Sequence, residues 1–127
     1  MIRIYGIREA LDPIKARLSE VIHGCMMEAL GLPEGKRAHR FMPMDKADFF
    51  SPEGRSDAYT VIEIALMEGR SVATKKRLIR LLFTRIEAEL GVTPIDIEIT
   101  LTESPACNWG FRGMTGDEAQ LDYEINT

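Results

Sequence analysis

Apolar residues recur along this chain in two rhythms, one with period two and one with helical spacing. Ile95, Ile97, Ile99 and Leu101 alternate with Asp96, Glu98, Thr100 and Thr102, which predicts a strand with one buried face. Tyr59 to Met67 is rich in β-branched and apolar residues, with Ile62, Ile64 and Leu66 on one face. Its second face also carries apolar groups, so a central strand is expected. Ile14, Leu18, Val21, Ile22, Cys25, Met26 and Ala29 form one stripe at helical spacing. Asp12 is the expected cap of that helix, with Pro13 at its first position and Gly31 at its end. Ile79, Leu82, Phe83, Ile86 and Leu90 form a second stripe, with Ser71 as N-cap and Gly91 as stop.

These elements repeat. Ile2-Arg3-Ile4 returns sixty positions later as Ile62-Glu63-Ile64. Lys15, Arg17 and Leu18 return as Lys75, Arg77 and Leu78, and Leu30-Gly31 as Leu90-Gly91. Each half reads strand, helix, strand, and a helix between two strands favours a crossover and parallel pairing. The expected fold is α+β in two layers. Duplicated β-α-β halves, about residues 1–60 and 61–120, share a four-stranded mixed sheet with both helices on one face. The whole of 1–127 is expected to be one domain. The uncovered sheet face, read as apolar, is expected to pack against other copies of the chain.

Composition narrows the classes. The 127 residues are 45% hydrophobic and 28% charged, with a net charge of −4. That is a globular balance, and its acidity argues against a nucleic-acid partner despite Lys75, Lys76, Arg77, Arg80 and Arg85 along the second helix. No apolar run approaches bilayer length, so no membrane partner is expected, and nothing at Met1-Ile2-Arg3 resembles an export signal. A cytoplasmic protein is the expectation. Cys25 and Cys107 are too few for a disulfide framework and have no zinc spacing. No cofactor or metal is expected. The methionines Met26, Met27, Met42 and Met44 read as gap-filling.

Three features carry candidate chemistry. Arg70 stands where the second helix begins, and a helix N-terminus with a guanidinium beside it suits a carboxylate. A surface ion pair is the alternative. Lys36-Arg37 and His39-Arg40 make a basic cluster, either solvated or an anion site. Asn108-Trp109-Gly110-Phe111-Arg112-Gly113 holds the only tryptophan among glycines, as a pocket wall or as a subunit contact. His23 and His39 read first as structural histidines, and Asp45, Asp48 and Asp57 as solvated loop acids. Phe49 and Phe50 open a loop expected to touch a neighbouring subunit, and Arg55 in that loop is a possible pocket residue. Leu121 to Asn126 alternates and is expected to add a short strand across a subunit boundary.

The order of His23-Gly24, Leu30-Gly31-Leu32-Pro33-Glu34-Gly35, Gly69-Arg70-Ser71, Leu90-Gly91-Val92-Thr93-Pro94-Ile95-Asp96 and Asn108-Trp109-Gly110-Phe111 resembles the tautomerase superfamily. The nearest branch is the malonate semialdehyde decarboxylase-like one, and the resemblance runs from about Ile2 to Phe111. It implies a homotrimer, with a pocket near the N-terminus of each chain at a subunit boundary. It also implies chemistry on small keto or enol acids, in which an N-terminal proline moves the proton. Carried over, Arg70 holds the substrate carboxylate, Trp109 and Phe111 wall the pocket, and Arg37 matches a further position. Lys36 and His39 are possible members.

The sequence departs from the branch at three points. Lys36 replaces an acid, Glu68 replaces a second arginine, and Met1 stands in place of the proline. The first two argue against decarboxylation. Met1 still offers a primary amine able to act as a base or to form a Schiff base. Two functions therefore follow: an isomerase of the tautomerase kind, or a non-catalytic trimeric domain that binds a carboxylate or a protein.

Overall fold

The alternation of β-branched residues places four strands in one sheet. The computed structural model describes every residue from Met1 to Thr127. Strands β1 (Ile2–Ile7), β2 (His39–Met44), β3 (Thr60–Met67) and β4 (Ile97–Ser104) lie in the order β2-β1-β3-β4. β1 pairs parallel with β2, β3 pairs parallel with β4, and β1 and β3 run antiparallel at the centre. A short helix α1 (Arg8–Leu11) leads into α2 (Lys15–Leu30), and α3 (Val72–Leu90) joins β3 to β4. Residue pairing across the centre matches Ile2 with Ile64, Arg3 with Glu63 and Ile4 with Ile62. Arg3 thus faces its own counterpart in the repeat, and the two halves meet about a local two-fold axis at that pair.

The helical stripes cover one sheet face. Ile2, Ile4, Ile62 and Ile64 meet Leu18, Ile22, Leu78, Leu82 and Ile86 in a single core of 17 buried residues. Removing such side chains from water contributes about 1.5–3 kcal/mol each. Gly31 and Gly91 end the two long helices in the left-handed conformation, φ 70° and 72°. That region is cheap only for glycine. Ser71 caps α3 by accepting a hydrogen bond from the Thr74 amide at 3.1 Å.

Three expectations need correction. α2 does not start at Asp12-Pro13: Asp12 closes α1, its amide donating to the Arg8 carbonyl at 3.0 Å, and α2 begins at Lys15 without a side-chain cap. Proline and the turn around it separate two helices instead of opening one. The alternation from Ile95 likewise overextends the last strand. Pro94–Asp96 forms a 3₁₀ turn, Ile95 is exposed, and Asp96 is buried. There the Asp96 carboxylate accepts from the Ser56 amide at 2.8 Å and from the Ser56 hydroxyl at 2.6 Å. The uncovered sheet face is mixed, not apolar. It shows Arg3, Glu63, Glu98, Thr100 and Thr102 beside Tyr5 and Val61. Within its own chain, Leu121–Asn126 pairs with no strand. The segment folds back over the start of α3, where the Ser71 and Thr74 hydroxyls donate to the Thr127 carbonyl at 3.2 and 2.8 Å.

Candidate active site

The strand ends that carry Met1, Ala38 and Ala65 converge at one end of the sheet, beside the point where β3 passes into α3. There they enclose a cavity of about 550 Å³. Its lining includes Met1, Lys36, His39, Arg70, Trp109 and Phe111, all singled out from the sequence. No aspartate or glutamate lines it. Lys36, Arg40, Arg70, Arg112 and the Met1 amine therefore make the cavity strongly cationic, and a low-dielectric cavity of one sign concentrates anions.

Each of these groups is set by its element. The α-amino group of Met1 extends β1 and donates to the Ala65 carbonyl at 3.3 Å. Burial holds its pKa below the ordinary 8.0, and the positive charges of Arg40, Arg3 and Lys36 push the same way. Arg70 follows Gly69, whose φ of 139° turns the chain from β3 toward α3. The Arg70 side chain is buried at 6% exposure. Its Nη1 donates to the Met67 carbonyl at 3.4 Å, and its Nε has no partner. Burial lowers the guanidinium's pKa, while Tyr123 and then Glu103 act to raise it. Glu103 is itself engaged by Lys75 at 2.7 Å. A buried cation with spare donors and no counter-ion of its own is a receptor for a carboxylate.

Two histidines form the inner wall. The His23 Nε2–H donates to the Glu34 carbonyl at 2.8 Å, which leaves its buried Nδ1 unpaired. The His39 ring lies 6.1 Å from it, edge to face, and its Nδ1 shares a 2.8 Å hydrogen bond with the Ser19 hydroxyl. Burial first, then His23, Arg37 and the Met1 amine, hold the His39 pKa down to about 4. His39 is therefore neutral around pH 7.

The outer wall is a hairpin of β5 (Gly110–Phe111) and β6 (Met114–Thr115). Its two-residue loop is Arg112-Gly113, with φ 53° and 78°, as primed hairpin turns require. Arg112 is the one non-glycine residue with positive φ, and its guanidinium lies 5.1 Å over the Phe111 ring. The Trp109 carbonyl, at the hairpin base, accepts from the Gly116 amide at 2.8 Å, and the indole Nε1 is buried without a partner. Lys36 Nζ sits 5.6 Å from the Phe111 ring and 4.9 Å from the Tyr123 ring.

Some sequence candidates lie elsewhere. Arg37 binds the Glu20 carboxylate at 2.8 Å, on the surface beside α2 and outside the cavity lining. Arg55 donates to the Glu53 carbonyl at 3.1 Å within its own loop. Phe50 is 92% exposed, and Glu68 is exposed and does not line the cavity. Conversely, Tyr123 lines the cavity although the sequence pattern does not assign it to a site, and Arg40 and Arg112, from the basic cluster and the tryptophan segment, line it too. For Tyr123 the signal is hidden in an alternation that reads as a strand. No group of three or more His, Cys, Asp or Glu side chains converges to hold a metal, and no helix is long and apolar enough to cross a membrane.

A duplicated β-α-β sheet with a cationic cavity at the exposed end of its first strand defines a two-layer α+β protein with a site for a small anion. The family model described as "Tautomerase enzyme" matches residues 36–112. The chain is 31% identical over 100 residues to the probable tautomerase YusQ of Bacillus subtilis (strain 168), covering 75% of this chain and 79% of that one. The chain belongs to the tautomerase family. Among solved structures, malonate semialdehyde decarboxylase superposes with a TM-score of 0.81 at 23% identity, over 90% of this chain and 92% of that one. A fused 4-OT asymmetric trimer superposes at 0.80 with 21% identity, over 91% and 95%. At these identities the superpositions show the fold.

Proposed function

We propose that this chain is an enol–keto tautomerase of small carboxylic acids, of the malonate semialdehyde decarboxylase-like branch, working as a homotrimer. The observation that carries this reading is the Met1 amine, with its lowered pKa, in an acid-free cavity that also holds the Arg70 guanidinium with its unpaired Nε. Arg70 anchors the substrate carboxylate. The neutral amine accepts the enol hydroxyl proton as the carbonyl forms, and the resulting ammonium returns a proton to the adjacent carbon. Trp109 and Phe111 wall the planar enol. The trimer is supported by the trimeric assembly named for the fused 4-OT neighbour.

The test is the decay of phenylpyruvate enol with tag-free protein, its N-terminal residue read by intact mass. Arg70→Ala is expected to lower kcat/KM about a hundredfold, the scale of a lost charge-assisted hydrogen bond in a buried site. The rate of the native protein is expected to rise with pH with its midpoint below the ordinary 8.0 of a free α-amino group, because the amine must be neutral and burial lowers its pKa. Unchanged turnover in Arg70→Ala would remove Arg70 from the mechanism.

A second reading, a carboxylate-binding or protein-interaction domain without turnover, has one observation in its favour. The Met1 amine is already engaged by the Ala65 carbonyl, and a primary amine is less rigidly placed than a proline ring. Binding of a carboxylate with no turnover above buffer in the same assay selects this reading.

A further inference from the structure

The last segment of the chain supplies a wall of the cavity that neither the hairpin nor the sheet provides. Leu121, Tyr123 and Ile125 turn inward in a strap without regular secondary structure, while Asp122, Glu124 and Asn126 stay exposed. The strap is held in three places. The Ser71 and Thr74 hydroxyls hold the Thr127 carbonyl. Ile125 and Asn126 lie over Gly69, so closely that a Cβ at Gly69 would stand 2.8 Å from Ile125 Cγ2 and 2.9 Å from Asn126 Oδ1. The Tyr123 ring lies 4.9 Å from Lys36 Nζ, which also faces the Phe111 ring, so one ammonium joins strap to hairpin across the cavity.

We infer that Tyr123 is a ligand-contacting residue of this site, placed by the strap to share with Arg70 the carboxylate of the bound acid. This rests on the reading of Arg70 as carboxylate anchor. Tyr123 lines the same cavity as Arg70, and the phenol is near enough to favour the charged guanidinium, although no hydrogen bond joins the two. A guanidinium only donates, so toward Arg70 the phenol can present only its oxygen. The phenol's own proton is then left for an acceptor in the cavity. No carboxylate side chain lines the cavity to take it, whereas a ligand carboxylate on Arg70 presents a second oxygen. Such a donor, itself polarised by a cation, reinforces the anchor and fixes the plane of the carboxylate.

The experiment uses Trp109, the sole tryptophan and a cavity residue, as the reporter, with pyruvate as the probe. Its fluorescence is titrated in the native protein and in Arg70→Ala, Tyr123→Phe and Asp122→Ala. Tyr123→Phe keeps the ring over Lys36 and removes only the hydroxyl. It is expected to weaken pyruvate binding roughly tenfold or more, the range of a hydrogen bond to a charged group, with an unchanged thermal midpoint. Asp122→Ala, on the exposed side of the same strap, is expected to bind as the native protein does. Binding that Arg70→Ala abolishes and Tyr123→Phe leaves intact would overturn the role of Tyr123 alone. A native protein whose fluorescence does not respond saturably to pyruvate, or responds equally in Arg70→Ala, would overturn the carboxylate anchor and this inference with it.

Discussion

His39 shows what one residue's surroundings impose on the molecule. Its ring is wedged between Ser19 and His23 and faces the cavity, and burial holds its pKa from 6.5 down to about 4. The unfolded chain therefore binds a proton near pH 6.5 that the folded chain refuses until about pH 4. Stability associated with neutral His39 is complete above pH 6.5 and is lost as pH falls through that window. His39→Gln keeps a polar group for Ser19 and cannot titrate. The variant is expected to show a smaller fall in urea midpoint between pH 7 and pH 4.5 than the native protein, and equal falls would show that His39 does not govern the acid limb. At this scale the sequence is legible where chemistry is carried by one residue type in a distinctive neighbourhood, as with Arg70 next to a helix start and Trp109 among glycines. Arg37 is not distinguishable from its neighbours, because whether it faces the cavity or Glu20 depends on how a loop of 31–38 turns. No periodicity encodes that.

Among the elements, the two long helices are near copies, and their ends allow a controlled comparison. Gly31 and Gly91 both stand in the left-handed region, and no atom lies within 4 Å of the place a Cβ would take. Only conformational strain therefore opposes a side chain. Gly31→Ala and Gly91→Ala are each expected to cost about 1 kcal/mol, measured as equal shifts in urea midpoint, and unequal shifts would break the equivalence of the two halves. Gly69 differs, since the strap lies against it. The same contrast explains which elements the sequence discloses. Strands and helices bounded by glycine or by a serine cap are readable, since the stop or start is a property of one residue. The start of α2 is not, because proline suits both the first turn of a helix and the break between two helices. Only the packing of Leu11 into the core, at 1% exposure, makes Arg8–Leu11 a helix of its own. The strap reads as a strand for a related reason: inward and outward residues alternate in any extended segment laid on a surface, with or without a strand partner.

For the whole molecule, the duplication sets where the cavity lies and what surrounds it. The local two-fold axis at Arg3 and Glu63 leaves one sheet face under the helices and the other open. The cavity sits at the end of β1, where Met1 and Arg40 project on the open side. A neighbouring chain on that face would adjoin the cavity mouth, which links assembly to ligand binding in the proposed trimer. A closed three-fold arrangement uses the same pair of surfaces at every contact, so a single residue at the centre of the face bears on all three. Val61 is that residue: half-buried on the central strand β3, it lies between Tyr5 and Glu98 and away from the helical core. The native protein is expected to have a solution mass of three times its 14.3 kDa chain. Val61→Lys buries a charge in the contact but sits comfortably beside Glu98 in a lone chain. It is expected to shift the mass toward one chain, keep the far-ultraviolet helical signal, and weaken pyruvate binding although it touches no cavity residue. A native mass of one chain would end the trimer reading, and a trimer that tolerates Val61→Lys would place its contacts elsewhere than on the open sheet face.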